Sequence, residues 1–168
     1  WARRRPAVNE RPVPPAPVEA DAAEAGDPAP PSLDELNRLV EAGDLNGARE
    51  LAFAFIDSIP DRRSRRPVER VLGNIHIQLV FSPRAMPEKI EHVVASGDTL
   101  GGLARRYDTT VDRIAAINGI EDNLIRIGDR LQILRGAFRG VVSKTRNEMD
   151  LFFNDRFFKR YRVGTGTD

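Results

Sequence analysis

The first part of the chain has a helical hydrophobic pattern. Apolar residues recur every three or four positions in three stretches between residues 32 and 86, which predicts three amphipathic helices. Ser32 is suited to cap the first helix, and Gly43-Asp44 separates the first helix from the second. Pro60 ends the second helix, and a third is predicted to begin near Pro67. The pattern therefore indicates a small helical unit.

The turn between the first two helices, residues 39–48, is similar to the turn of a tetratricopeptide hairpin. One such hairpin is too little for an array, because these repeats need stacked neighbours to close a core. A helical spacer at residues 32–86 that packs on itself is therefore the favoured interpretation, and a peptide-binding array is the alternative.

The pattern changes after Pro87. Residues 91–95 alternate as in a short strand, and residues 96–99 are typical of a turn. Two short helices follow, the second beginning near Thr109 and ending at Asn118-Gly119. A loop then leads to a strand at residues 130–134. The predicted order of this unit is strand, helix, helix, strand.

Residues 138–168 are predicted to be β-structure. Residues 141–143 form a first strand, Met149, Leu151 and Phe153 alternate on a second, and Phe157, Phe158, Tyr161 and Val163 belong to a third. Asn154-Asp155 is a typical hairpin turn. Three such strands are marginal by themselves, so they are expected either to fray or to dock on a neighbouring unit.

Residues 1–31 are predicted to be a disordered linker. They hold eight of the twelve prolines and no apolar periodicity, so they cannot bury enough surface to offset their ordering entropy. Because the sequence starts at Trp1 rather than at Met, we expect a signal peptide or a membrane anchor upstream. A full-length sequence without an apolar segment there would contradict this hypothesis.

Composition excludes several kinds of function. The chain carries 26 Lys and Arg against 25 Asp and Glu, without the concentrated basic face that nucleic acid requires. It has no cysteine, so neither a thiolate nucleophile nor a thiolate metal site can form within it. The two histidines, His76 and His92, lie in apolar patterns and lack further ligands at metal-binding spacing. No metal and no cofactor are expected.

The unit after Pro87 resembles the LysM domain throughout its length. The matching segments, in the order and spacing of that family, are His92-Val93-Val94, Gly97-Asp98-Thr99-Leu100, Leu103-Ala104, Tyr107, Ile117-Asn118-Gly119, Ile127-Gly128 and Leu131-Gln132-Ile133. The sequence thus predicts an α+β protein: a βααβ LysM domain at residues 88–135, preceded by a helical hairpin or three-helix spacer and followed by an incomplete antiparallel β segment at residues 138–168.

The resemblance implies a shallow groove that binds acetamido sugars of peptidoglycan or a chitin-like glycan. It places one wall of that groove at Gly97, Asp98, Thr99 and Leu100, and the other at Asn118, Gly119, Ile120, Leu124 and Ile125. Each residue also has a purely structural interpretation: Asp98 and Thr99 as helix caps, Asn118 and Gly119 as a helix stop, and Leu124 as core, which is favoured for Leu124. A protein with this ligand is expected in the cell envelope, in a periplasmic or other extracytoplasmic location.

The last segment is similar to the opening strands of L,D-transpeptidases of the YkuD type. The similarity rests on Val142-Ser143-Lys144, Leu151, Asp155, Lys159, Tyr161 and Val163-Gly164-Thr165-Gly166. The catalytic His and the Ser-x-Gly-Cys segment of that family come later and are absent here. The chain as it stands is therefore not expected to be an active enzyme, because no thiolate is present to attack a peptide carbonyl.

Three functional hypotheses follow. The first is a glycan-binding module that targets a cysteine L,D-transpeptidase, truncated here, to the cell wall. The second is a non-catalytic LysM scaffold whose helical spacer and C-terminal β segment recruit protein partners. The third is a LysM-targeted cell-wall hydrolase.

Overall fold

The structure, a computed structural model, describes residues 32–164 and residue 166, so the predicted linker at residues 1–31 lies outside the described residues. Within the described part, five α-helices and two antiparallel sheets confirm the predicted α+β class. The helices are α1 (Leu33–Glu41), α2 (Leu45–Ser58), α3 (Arg62–Val80), α4 (Leu100–Arg106) and α5 (Val111–Asn118). The strands are β1 (Lys89–Val93), β2 (Arg130–Leu134), β3 (Phe138–Ser143), β4 (Glu148–Phe153) and β5 (Arg156–Arg162).

The starts of the first two helices follow from local capping. Ser32 Oγ accepts a hydrogen bond from the backbone N–H of Glu35 at 3.1 Å, as predicted. Gly43 adopts a φ of +79°, which ends α1, and the Asp44 carboxylate caps α2 through the N–H of Gly47 at 2.9 Å. The predicted break between the two helices is therefore confirmed.

Helix α3 begins at Arg62 rather than near Pro67, so the predicted start was wrong. The carboxylate of Asp61 accepts hydrogen bonds from both the N–H and the hydroxyl of Ser64, at 2.8 and 2.7 Å, and this cap nucleates the helix earlier. Pro67 lies just beyond the first turn. It therefore removes only its own N–H bond to the carbonyl of Arg63, and the helix continues through it.

Strands β1 and β2 form a two-stranded antiparallel ladder that runs from the pair Lys89–Leu134 to the pair Val93–Arg130. Strand β2 has the predicted bounds. Strand β1 lies two residues earlier than predicted, because the backbone N–H of Ala95 leaves the ladder and bonds to the side chain of Asp98.

The second sheet has the strand order β3-β4-β5, and the predicted turn connects β4 to β5. Asn154 and Asp155 both have positive φ, 48° and 62°, as a two-residue type I′ hairpin requires. A bulge interrupts the predicted alternation: the register passes from Leu151–Lys159 to Phe152–Phe157, which leaves Phe158 as the extra residue of β5.

The bulged residue joins the sheet to α3. The ring of Phe158 stacks on that of His76 with centroids 4.9 Å apart, and His76 Nδ1 lies 2.8 Å from the carbonyl oxygen of Phe158. Since Arg49 Nε donates to His76 Nε2 at 3.2 Å, it is Nδ1 that carries the proton and donates to that carbonyl. Burial lowers the pKa of His76 to about 4, so this histidine is a neutral core residue near pH 7.

The helices and the second sheet share one hydrophobic core. Leu36, Leu72 and Leu79 of the helices pack in the same cluster as Phe153 and Phe158 of the sheet. The spacer interpretation expected the helical unit to close a core by itself. The structure differs, because the second sheet completes that core. The three strands were expected either to fray or to dock on a neighbouring unit, and they dock on α3.

The connection between α3 and β1 is held by a buried ammonium group. Lys89 Nζ donates to the carbonyl oxygens of Leu79 and Ser82 at 2.5 Å and of Arg84 at 3.2 Å. These bonds bind the end of α3 and the segment after it to β1. Burial lowers the pKa of Lys89 to about 8.

The shared core predicts that the helices and the sheet unfold together. Phe158→Ala removes a ring that is 3% exposed, and we expect it to lower the free energy of unfolding by about 3–5 kcal/mol. Val142→Ala on β3, where the side chain is 56% exposed, is the control and should change it by about 0.5 kcal/mol or less. The measurement is urea unfolding followed by the helical circular dichroism signal. A helical transition at an unchanged urea concentration in Phe158→Ala would contradict the shared core.

Candidate functional site

The unit at residues 88–135 has a small core of its own. Helices α4 and α5 pack over the β1-β2 ladder, and the buried side chains between them are Val94, Leu100, Leu103, Ala104, Ile114, Leu131 and Ile133. This core fixes the ends of the two helices and thereby the loops that leave them.

The two loops predicted to form the groove leave the same end of the ladder. The last pair of the ladder is Val93–Arg130, so the turn after β1 and the loop before β2 begin side by side. Two backbone bonds hold them together: the N–H of Gly128 donates to the carbonyl of Val94 at 2.8 Å, and the N–H of Val94 donates to the carbonyl of Asp129 at 2.9 Å. We call the turn at residues 95–99 the first loop and the segment at residues 119–129 the second loop.

The carboxylate of Asp98 shapes the first loop. It accepts a hydrogen bond from the N–H of Ala95 at 2.9 Å, lies 2.8 Å from His92 Nε2 and lies 3.6 Å from a guanidinium nitrogen of Arg106. The other ring nitrogen of His92 lies 3.0 Å from the hydroxyl of Tyr107. The bond from Ala95 and that with His92 lower the pKa of Asp98 below its ordinary value of 3.8. Asp98 is thus a charged organiser of the loop.

Thr99 and Asn118 are also engaged within the fold. Thr99 Oγ1 caps α4 by accepting from the N–H of Gly102 at 3.1 Å. The side-chain amide of Asn118 donates to the carbonyls of Ile114 and Gln132 at 2.8 and 2.9 Å, and its oxygen accepts from the N–H of Gln132 at 2.7 Å. Asn118 therefore fastens the end of α5 to β2, which leaves its amide little capacity for a ligand.

The nine predicted site residues differ in accessibility. Gly97, Thr99, Gly119 and Leu124 are exposed; Asp98, Asn118, Ile120 and Ile125 are half-buried. The side chain of Leu100 is 5% exposed and belongs to the small core, so only its backbone can face a ligand. Ile120 and Ile125 also pack partly against that core.

Leu124 corrects a prediction, since its side chain was favoured as core and is 73% exposed. The chain turns outward just before it, at Asn123, whose φ is +54°. Two further exposed apolar side chains were missed: Ile127, 74% exposed, and Val93, 50% exposed. Val93 ends β1, and Ile127 precedes the glycine that bonds to Val94, so both lie at the junction of the two loops.

The flanking units contact this unit along α5 and at the end of β2. Ile117 and Leu134 belong to the core shared by the helices and the second sheet, and the guanidinium of Arg113 lies 5.8 Å from the ring centroid of Phe138. In the described chain, neither α1–α3 nor β3–β5 buries the exposed residues of the two loops. The edge that a glycan would approach is open.

The fold of this unit and the spacing of its segments agree with a known family, because residues 92–134 match the LysM domain. These residues are a LysM domain. A curated relative, the "Probable endopeptidase p60" of Listeria seeligeri, is 39% identical over 54 residues, which cover 32% of this chain and 9% of that protein. No solved structure gives a significant match. A LysM domain implies binding of peptidoglycan or a chitin-like glycan and an association with the cell wall.

The described residues show neither the pattern of a metal site nor that of a membrane-spanning helix. They contain no group of three or more His, Asp or Glu side chains that could hold a metal ion. Neither do they include a helix long and apolar enough to cross a membrane. His92 is engaged with Asp98 and Tyr107 in the LysM domain, and His76 lies in the shared core.

The lowered pKa of Asp98 predicts a contribution to stability that depends on pH. Because the folded-state pKa lies below the unfolded value, this contribution is fully present above about pH 4 and is lost as pH falls through the folded pKa. We expect Asp98→Asn to be less stable than the wild type at neutral pH. The difference should shrink as pH is lowered from 5 towards 2, measured by thermal unfolding of both proteins in parallel. Asp61 and Asp150, whose pKa values are also lowered, affect both proteins equally. A stability difference that does not change over that range would contradict the assignment.

Proposed function

We propose that the two loops of the LysM domain bind the acetamido sugars of peptidoglycan and hold the rest of the chain at the cell wall, in a periplasmic or other extracytoplasmic location. The observation that carries this proposal is the exposure of Gly97, Thr99, Gly119 and Leu124 in two loops that leave the same end of the ladder, on an edge that the other described units leave open.

The chemistry of the loops suits such sugars. An acetamido group presents a methyl group together with an N–H donor and a C=O acceptor. The exposed side chains of Leu124 and Ile127 offer apolar surface to the methyl group. Gly97 and Gly119, whose φ values are +86° and +65°, have no side chain, and a Cβ added at either would meet no atom within 4 Å. A ligand can therefore approach the backbone closely at both glycines, although the N–H of Gly119 donates to the carbonyl of Ala115 at the end of α5.

A single shallow groove is expected to bind weakly. A dissociation constant of about 1 mM corresponds to only about 4 kcal/mol. Weak binding is sufficient on a polymer, because any second activity on the same chain then acts at a high effective concentration.

The exposed apolar side chains provide the test of this site. In sedimentation with purified peptidoglycan, we expect the wild-type chain to be retained in the pellet and the double variant Leu124→Ala/Ile127→Ala to be largely released. Because both side chains are more than 70% exposed, the unfolding transition should stay the same. Asp98 and Asn118 are unsuitable for this test, since both hold the fold together.

Val141→Ala/Val142→Ala is the matched control, because it also removes two exposed apolar side chains but on β3. It should be retained like the wild type. Equal retention of all three proteins would exclude Leu124 and Ile127 from the site, and failure of the wild-type chain to sediment would exclude the function.

We further propose that the second sheet belongs to the catalytic domain of a YkuD-type L,D-transpeptidase, which the LysM domain targets to peptidoglycan. Support comes from the three antiparallel strands at the predicted positions and from Val163-Gly164 directly after β5. Strand β3 lies at the edge of the sheet with Val141 and Val142 exposed, so a further strand could add there. The similarity to a protein named as an endopeptidase favours the alternative, a LysM-targeted hydrolase.

The product of the whole gene distinguishes these proposals. For a transpeptidase we expect a His and a Ser-x-Gly-Cys segment beyond residue 168, and exchange of a D-amino acid into peptide stems that stops when the cysteine is replaced by alanine. The 168-residue chain, which has no cysteine, is the matched control and should be inactive. Cleavage of peptidoglycan without exchange would support the hydrolase instead, and absence of both activities would support a scaffold.

A further inference from the structure

A polar cleft lies between α3 and the strands β4 and β5, away from the two loops of the LysM domain. Its volume is about 240 Å³, and its basic lining residues are Arg66, Arg70, Lys159, Arg160 and Arg162. A second, more open hollow of about 440 Å³ shares Glu148 and Arg162 with it and adds Arg146. Together they form a continuous basic groove along this face of the protein.

The acidic side chains of the cleft are already neutralised. Glu148 accepts two bonds from Arg66, at 2.8 and 3.1 Å, and has Arg146 at 3.4 Å as well. Glu69 is paired with Arg160 at 2.6 Å. Each carboxylate of the cleft therefore has at least one guanidinium partner.

Other cations of the cleft remain uncompensated. Arg70 and Arg162 are exposed and form no ion pair within the described chain. Lys159 Nζ donates to the side-chain oxygen of Asn74 at 3.2 Å, which leaves its charge without a counter-ion. The cleft therefore presents three positive charges that have no acidic partner within the described residues.

The start of α3 carries positive charge where a helix tolerates it poorly. Residues 62–66 include four arginines in the first turns of the helix, where the macrodipole favours acidic side chains. Arg62 and Arg66 are offset by Asp150 and Glu148 of the sheet, at 2.5 and 2.8 Å. These arginines do not stabilise the start of the helix, but they do give this face of the protein a positive charge.

We infer that this cleft binds free carboxylates of an acidic peptide. Guanidinium groups match carboxylates in a two-pronged geometry, which favours Arg70 and Arg162 as the binding residues. The concave shape and small volume suit one end of a peptide rather than a flat membrane surface. The amide of Asn74, the ring of Tyr161 and the carboxylates of Glu69 and Glu148 give the cleft groups for the remaining polar and apolar parts of such a peptide.

The peptides attached to peptidoglycan strands carry several free carboxylates and have this chemistry. Resting on the proposed function, the cleft would contact the peptide of the same polymer whose glycan the LysM domain holds. Two weak contacts with one polymer then reinforce each other.

Calorimetric titration of the full 168-residue chain tests the inference. The probe is the free peptide released enzymatically from peptidoglycan, at low ionic strength. We expect the double variant Arg70→Ala/Arg162→Ala to bind this peptide about tenfold more weakly than the wild type, because it loses charge-assisted hydrogen bonds. The matched control Arg38→Ala/Arg135→Ala removes two exposed arginines that lie outside the cleft and form no ion pair in the described residues, and it should bind as the wild type does.

Three further arms make the result decisive. The same peptide with its carboxylates amidated should bind at least tenfold more weakly than the free acid. Inorganic phosphate at the same concentration as the peptide should not displace the peptide. Vesicles of anionic lipid should not bind the wild type more strongly than they bind Arg70→Ala/Arg162→Ala. Equal peptide affinity of the two double variants, or binding that ignores amidation, would overturn the inference. Preference for phosphate or vesicles would overturn the choice of ligand.

Glycan binding separates this inference from the proposed function. Glycan strands stripped of their peptides should bind the Arg70→Ala/Arg162→Ala protein as they bind the wild type. Loss of glycan binding in the wild-type chain with retained peptide binding would remove the proposed function and leave the cleft in place.

Discussion

The packing of the second sheet on α3 is the contact on which most of this structure depends. One bulge in β5 turns Phe158 towards the helix, where its ring stacks on His76 and its carbonyl accepts a hydrogen bond from His76 Nδ1. The hydrogen bond from Arg49 to His76 Nε2 needs a neutral imidazole, and burial supplies it by lowering the pKa of His76. Without this contact, three short helices and three short strands would each expose an apolar face that neither can cover by itself.

The LysM domain is joined to this core without losing its open edge. Ile117 at the end of α5 and Leu134 at the end of β2 enter the shared core, and Lys89 ties β1 to the end of α3. Lys89 and Leu134 lie at the far end of the ladder from the two loops, and Ile117 is buried on α5. The domain is thereby held rigidly at its base, while Leu124 and the exposed glycines remain accessible to a polymer.

Charge is distributed unevenly around the sheet. Burial by itself would raise the pKa of Asp150, but its bonds with Arg160 and Arg62 outweigh that effect and the pKa is lowered. These ion pairs connect α3 to β4 and β5, and Arg160 also lines the basic cleft. Arg70 of α3 and Arg162 of β5 form no ion pair within the described residues.

The sequence by itself determined the local elements and the family of the central unit. Capping at Ser32, the stops at Gly43 and Gly119, and the Asn154-Asp155 hairpin are set by side chains and backbone angles within a few residues. The order of strand, helix, helix and strand in residues 92–134 could also be predicted, because the core of a small domain dictates the spacing of its segments. The division of the chain into four segments, and the assignment of the last one to a transpeptidase, remain predictions.

Tertiary structure decided what each side chain of the site does. Asn118 and Leu124 were both placed in the predicted groove, yet one fastens α5 to β2 and the other points to solvent. The bulge at Phe158 and the basic cleft arise from contacts between residues about 80 or more positions apart, such as His76 with Phe158 and Arg66 with Glu148. Periodicity reports which face of an element is apolar, but the partner of that face is fixed only when the whole chain has packed.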